Sequence, residues 1–165
     1  MGKVQAVFGN GAPGAVSRSI DDIIISVKNA GTADVPFGAP VFLTENGAVP
    51  FNLTTPQDFT TFLGFAVRVA DKTPDTYPRG QFDDPPAGTW HGGDVMEVLV
   101  RGTVALPLNA AGTAGGKVYI VKATGELTPT AGSSGTTVEL QNVRIRRPKD
   151  GSGCCEAVVS KRNII

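Results

Sequence analysis

Short apolar runs separated by glycine and proline constrain the fold of this chain more than any other feature of its sequence. The densest group lies in Gly92–Thr130, where Asp94–Gly102 and Thr103–Leu106 are rich in valine and leucine. Runs of roughly four to eight such residues, bounded by turn-forming residues, are typical of β-strands. Within Val95–Val100 only Glu97 is polar, so this strand needs apolar cover on both faces. We therefore expect the stretch to form the middle of a closed or two-layered β structure.

Glycine and proline, which number 21 and 12 in 165 residues, fall between these runs and follow no fixed period. In a helix interior each glycine costs about 1 kcal/mol and each proline about 3 kcal/mol, so long helices are disfavoured. Thr54–Thr61, with Pro56 near its start, is the one place for a short helix. The length suits a single domain. We predict an all-β fold, a small β-barrel or β-sandwich.

Alternation of residue types predicts which face of a strand is packed. In Phe62–Ala70 it places Leu63 and Phe65 on the same packed face. Asn46-Gly47 predicts a hairpin turn, because both positions tolerate a positive φ. The other predicted strands are Asp21–Asn29, Ala39–Thr44, Lys117–Ala123 and Cys155–Lys161, and Thr137–Arg146 is predicted to hold one or two more.

Charge and hydropathy argue against several classes of partner. Fifteen Lys and Arg residues balance fifteen Asp and Glu residues, so no net field draws the chain to nucleic acid or to an anionic membrane. No apolar run approaches the roughly 18 residues that span a bilayer. The first residues lack the apolar core of a secretory signal, and the two cysteines are adjacent. This pattern is typical of a protein made in a reducing cytoplasm.

Catalytic and metal chemistry have little support in the sequence. His91 is the one histidine, no Gly-x-Ser-x-Gly motif occurs, and a surface loop position is the simplest interpretation of this side chain. One His and two Cys residues are too few for a structural zinc site, and the acidic residues lack calcium-loop spacing. We predict no enzymatic activity, no metal and no cofactor. Cys154 and Cys155 are either exposed thiols that link copies or react, or one inward thiol and one free thiol.

Arg144, Arg146, Arg147 and Lys149 form the basic cluster of the sequence. In an extended strand, Arg144 and Arg146 lie on one side and their apolar neighbours on the other. Three alternatives follow for this face: it contacts solvent, an acidic surface of a partner, or nucleic acid. The neutral chain and the lack of nearby stacking aromatics favour a solvated face.

Two segments do not fit a compact β domain by themselves. Met1–Ser19 is glycine-rich with one apolar patch, Val4–Phe8, and is either an arm that packs on a partner or a frayed terminus. Asp71–Gly93 carries four prolines and has no strand or helix period, which is typical of a functional or mobile loop. Its aromatic residues either anchor a partner or cover the protein's own core. We predict an extended N-terminal arm at 1–19 and a single β domain at 20–165 with a long proline-rich loop at 71–93.

Four stretches stand in a recognisable order: ADVPFGAPVF (Ala33–Phe42), FLGFAVRVADKTPDTY (Phe62–Tyr77), GGDVMEVLVRGTVAL (Gly92–Leu106) and GGKVYIVKATGELTP (Gly115–Pro129). Together they resemble the capsid cement proteins of tailed phages, also called head decoration or structural cement proteins. The resemblance implies a small β-barrel or β-sandwich subunit without enzymatic activity. Such a subunit binds the outside of an assembled capsid, as a trimer or a dimer, and strengthens the shell.

The resemblance also implies where contacts lie, because N-terminal arms and long loops commonly make them in this family. The implied partner is the major capsid protein, and the implied location is the exterior of the virion capsid after synthesis in the host bacterial cytoplasm. The proline-rich loop and the cysteine pair depart from the family pattern. The candidate contact residues are Val4, Val7, Phe8, Tyr77, Arg79, Phe82 and Trp90.

Two other interpretations stay open. One is a tail, baseplate or head-fibre adaptor built on the same β module, with carbohydrate binding if aromatic side chains form a flat exposed platform. The other is a hydrolase that uses His91, for which the sequence suggests no substrate.

Overall fold

The computed structural model describes residues 9–17, 21–54, 58–69 and 88–163. These residues form β-strands and one short 3-10 turn, Phe59–Thr61, which confirms the all-β prediction. Among them no helix is long and apolar enough to cross a membrane. The strands are β1 (Ile23–Lys28), β2 (Val35–Pro36), β3 (Pro40–Thr44), β4 (Gly47–Pro50), β5 (Phe62–Ala66), β6 (Thr89–Trp90), β7 (Val95–Pro107), β8 (Lys117–Val121), β9 (Leu127–Thr128), β10 (Thr137–Arg147) and β11 (Cys154–Val159).

Strand β7 is the centre of the fold. The main sheet runs in the order β4-β3-β5-β7-β11-β10-β8-β9, with β1 also paired to β7, and β2 and β6 form a separate pair. All of these pairings are antiparallel. The first half of β7 pairs with β1 and β5, and its second half pairs with β11. The two predicted runs on either side of Gly102 are thus one continuous strand that changes partners.

The curled sheet encloses a core on each of its faces. The first core lies between β7, β8, β10 and β11 and includes Leu99, Leu106 and Ile145. The second core lies under β1, β3 and the first half of β7 and includes Met96 and Val98. A parallel bridge between Asn29 and Ala48 brings the end of β1 to β4 and curls these strands round the second core. The predicted cover on both faces of the central strand is therefore present.

The predicted packing of β5 is wrong in one respect. Phe65 lies in the first core, whereas Leu63 lies in the second core, so the two side chains do not share a face. The cause is a β-bulge: Val41 pairs with Gly64 and Phe42 with Phe62, which leaves Leu63 without a partner on β3. One extra residue in a strand reverses the faces of the residues beyond it.

The hairpin and the short helix predicted from local motifs are both displaced slightly. Strands β3 and β4 form the hairpin, but Gly47 is already the first residue of β4, at φ 142°. A Cβ on Gly47 would overlap the carbonyl oxygen of Lys28, which explains the glycine. The helical turn begins only after Asp58, whose side chain accepts a hydrogen bond from the backbone N–H of Thr60 at 2.9 Å. Residues 55–57 lie outside the described residues.

Candidate interaction surfaces

Most of the predicted contact residues lie outside the described part of the chain. These are Val4, Val7 and Phe8 of the predicted arm and Tyr77, Arg79 and Phe82 of the predicted loop. Trp90 is described, and it is only 4% exposed. Its indole Nε1 donates a hydrogen bond to the carbonyl oxygen of Val67 at 3.1 Å, and its ring meets Phe37 edge-on at 6.2 Å. Trp90 therefore covers the protein's own core, which is one of the two roles considered for the aromatic residues of the loop.

Residues 9–17, which we call the strap, are bound to the protein's own sheet. Gly14 donates its backbone N–H to the carbonyl oxygen of Ala105, and Ala105 donates to that of Ala15, both at 2.9 Å. Ser17 donates to the carbonyl oxygen of Thr103 at 3.0 Å. The strap therefore occupies the edge of the second half of β7 that β11 leaves free, and the described part of the predicted arm packs on its own domain.

Asn10 fixes the other end of the strap to the turn between β10 and β11. Its side-chain Nδ2 donates to the carbonyl oxygens of Pro148 and Cys154, both at 2.8 Å. Its backbone N–H donates to the carboxylate of Asp150 at 2.5 Å. Hydrogen bonds from the Ser152 side chain and from Asn10 hold the pKa of Asp150 below its ordinary value. Asn10 is 6% exposed. Its hydrogen bonds hold the first residues of the strap beside this turn.

Both cysteines are buried, one on each face of β11. Cys155 faces the first core, and Cys154, on the opposite face of β11, is 1% exposed. Both thiols are free, and burial raises the pKa of each, that of Cys155 to about 12. One of the two interpretations was that the thiols are exposed and link copies; in the structure both thiols are buried instead. Glu156, also on the strap side, accepts a hydrogen bond from the Ser17 hydroxyl at 3.2 Å.

His91 lies on the surface, as expected. Its side chain is 65% exposed, and its Nδ1 lies 3.0 Å from a carboxylate oxygen of Asp34, which is itself 53% exposed. The backbone N–H of His91 donates to Asp94, which closes the turn before β7. Among the described residues no group of His, Cys, Asp and Glu side chains is placed to hold a metal ion.

An open cleft lies between the start of β3 and the end of β7. Its volume is about 300 Å³, and most of its lining is apolar. Three segments form it: residues 36–40, 107–109 and 125–127. No acid–base pair faces it, since Glu126 is the one ionisable residue in this lining. The cleft has the character of a contact surface rather than of a catalytic site.

The predicted polar face of β10 is present. Arg144 and Arg146 point away from the first core, while Val143 and Ile145 are buried in it. Glu139 lies between Arg144 and Lys117 of β8, 3.3 Å from the guanidinium and 2.6 Å from the ammonium group. The hydrogen bond from Lys117 is the main reason that the pKa of Glu139 is lowered. We call Lys117, Arg144 and Arg146 the basic face.

Sequence reasoning missed the strap and its anchor. In the sequence, Asn10 looks like a turn residue because it precedes Gly11, and Asp150 looks like part of a polar turn. Their contact joins residues 140 positions apart. Nothing in a single sequence marks such a pair, because both residue types are common in turns.

Comparison with known proteins places this fold in a family. The family model described as "Structural cement protein (E217 gp24/Pam3 gp6)" matches residues 2–159. A chain of the solved structure "The capsid of Myoviridae Phage XM1" has a similar fold, with a TM-score of 0.68 and 13% sequence identity over 97% of this chain and 96% of that chain. No curated protein matches the chain. Because the family model spans nearly the whole sequence, the chain belongs to the structural cement protein family.

Proposed function

We propose that this protein binds the outer surface of an assembled phage capsid, with the major capsid protein as its partner, and stabilises the shell without catalysing a reaction. The observation that carries the proposal is the family match over residues 2–159. The chain of the phage XM1 capsid structure supports it at the level of fold. The protein then belongs to the exterior of the virion and is made in the cytoplasm of the host bacterium.

The fold suits a subunit that acts through many weak contacts. A decorating protein repeats on a symmetric shell, so modest single contacts add up to strong attachment. Two cores on the faces of one curled sheet give a rigid body on which such contacts can be held. We infer a homo-oligomer, a trimer in preference to a dimer, as the form that binds.

The contacts are proposed at the two segments that the sequence singled out. The strap binds residues 9–17 to the body, so within the proposed arm at 1–19 shell contacts fall to Val4, Val7 and Phe8. In the proposed loop they fall to Tyr77, Arg79 and Phe82. Trp90 acts there as an anchor that ties the end of the loop to the second core.

Lack of catalysis is proposed from the chemistry of the described surface. The imidazole of His91 is exposed and paired with Asp34, and His91 is not among the residues that line the cleft. A general base works within reach of a bound substrate and in a site that limits water. The His91 side chain, at 65% exposure, is open to water.

The test is co-sedimentation of the purified protein with undecorated, expanded capsids. We expect binding that saturates at a fixed ratio of this protein to capsid subunits. The His91→Ala variant is the matched control and should bind equally well. Binding to isolated tail assemblies or to a glycan, with none to capsids, would support the adaptor alternative instead.

A further inference from the structure

Acidic and basic side chains are segregated between two halves of the described structure. Residues 21–54, 58–69 and 88–101 carry seven acidic and three basic side chains, whereas residues 102–163 carry four acidic and eight basic ones. Among the described residues the halves therefore bear net charges of −4 and +4, with His91 neutral. The net charge of 0 for the whole chain conceals this division.

The positive charge is exposed on the basic face. Lys117 and Arg144 are paired in register on neighbouring strands, and Arg146 follows on the same side of β10. One carboxylate, that of Glu139, contacts both Lys117 and Arg144, and so cannot neutralise the pair. Among the described residues no carboxylate lies within ion-pair distance of Arg146, which is exposed.

The negative charge gathers at the end of the molecule where β7 begins. Asp34 and Glu45 are exposed there. Glu45 lies in the β3–β4 hairpin, whose Gly47 lies against the carbonyl oxygen of Lys28, and Lys28, paired with Val95, adds one positive charge at this end. A Cβ on Gly92 would lie 2.8 Å from the carbonyl oxygen of Gly31, and Asp34 contacts His91. Asp94 of the same turn adds a third carboxylate. We call Asp34, Glu45 and Asp94 the acidic end.

The two surfaces are too far apart to neutralise each other. The acidic end adjoins Val95 of β7, and the basic face lies beside Thr103, through Val158 and Arg144. Eight residues of strand at about 3.3 Å each separate Val95 from Thr103 by roughly 26 Å. This exceeds the screening length of about 8 Å at physiological ionic strength. Each surface therefore presents its charge to whatever lies outside the molecule.

We propose that copies of this chain associate head to tail, with the basic face of one copy against the acidic end of the next. The inference rests on the proposed homo-oligomer and specifies its contact. A two-fold dimer through either surface would set like charges against each other, which is unfavourable. A head-to-tail contact satisfies both surfaces, and repeated round an axis it closes into a ring. The complementary surface for the basic face is carried by the chain itself, which is why a second copy is the partner.

Charge reversal tests the contact. Self-association of the full chain is measured by analytical ultracentrifugation at about 0.05 M and about 0.5 M salt. We expect the association constant to fall by tenfold or more at the higher salt concentration. The R144E/R146E variant and the D34K/E45K variant should each associate at least about tenfold more weakly than the wild type at low salt. An equimolar mixture of the two variants should recover pairwise association, because each reversed surface again meets its opposite.

The controls separate the contact from net charge and from folding. Lys122→Glu makes the same change of charge per residue at an exposed position outside both the basic face and the acidic end, and it should leave self-association unchanged. Circular dichroism and thermal unfolding verify that each variant folds, and the single Arg146→Glu variant, which changes an exposed side chain, serves if the double variant does not.

Three outcomes would overturn the inference. The first is that the chain is monomeric at every protein and salt concentration. The second is that its association does not change with salt or with charge reversal. The third is that the variants self-associate normally but no longer co-sediment with capsids. The last result would assign the basic face to the capsid and leave the proposed function intact. Salt-sensitive association without any capsid binding would instead support the inference and contradict the proposed function.

Discussion

Gly102 marks the point at which β7 exchanges one pair of neighbours for another. Its φ of 124° lies in a region that other residues rarely adopt, and a Cβ there would overlap the carboxylate of Asp22. That carboxylate accepts a hydrogen bond from the backbone N–H of Thr103 at 3.1 Å. A glycine at this position in a long apolar run is visible in the sequence, but its pairing with Asp22 is not.

We predict that Gly102→Ala lowers the free energy of unfolding by about 1–3 kcal/mol, because the backbone is strained and the Thr103 hydrogen bond is displaced. Urea denaturation measures the effect. Gly151→Ala is the control, since a Cβ at Gly151 meets no atom within 4 Å and its φ is not positive. Equal midpoints for Gly102→Ala and the wild type would contradict the assignment.

The two cysteines give a second prediction. Cys154 and Cys155 are buried, and the raised pKa of each keeps it protonated at neutral pH. A thiol reagent should therefore label the native protein far more slowly than the unfolded protein, as followed by mass spectrometry. Because the folded pKa lies above the unfolded value, stability should fall as pH rises above about 9. Labelling of native protein at the unfolded rate would contradict the burial of both thiols.

At the scale of elements, the strands follow from local patterns and the strap does not. The runs of β-branched residues in β1, β3, β7 and β10 are sufficient to predict strands, and β10 has its arginines on the predicted side. The strap joins the sheet through backbone groups, which every sequence possesses. The bulge at Leu63 is likewise a property of the pairing between β3 and β5. Neither leaves a periodic signal.

The strap gives a third prediction. Asn10→Ala removes two hydrogen bonds and leaves the carbonyl oxygens of Pro148 and Cys154 without this donor, which should cost about 1–3 kcal/mol of stability. The same variant should speed thiol labelling of Cys154 more than that of Cys155, which faces the first core. Asn109→Ala, at an exposed position, is the control. A loss of stability without faster labelling of Cys154 would mean that Asn10 does not hold the strap over β11.

At the scale of the whole molecule, family and fold class are accessible from the sequence, whereas the arrangement of charge on the surface is not. Gly92–Leu106 and its companion stretches carry the family resemblance in linear order. The excess of acidic residues before Gly102 and of basic residues after it can be counted in the sequence. Only the fold shows that β7 places these two groups in different halves of the structure, and which of their side chains share a surface.

Measurement of shell stability tests the central claim most directly. Expanded capsids are heated with increasing amounts of the protein, and disruption of the shell is followed by light scattering. We predict that the disruption temperature rises with occupancy and reaches a plateau when the binding sites are full, because a ligand of the intact shell stabilises it by mass action. An unchanged disruption temperature at saturated binding would contradict the assignment of this chain as a cement.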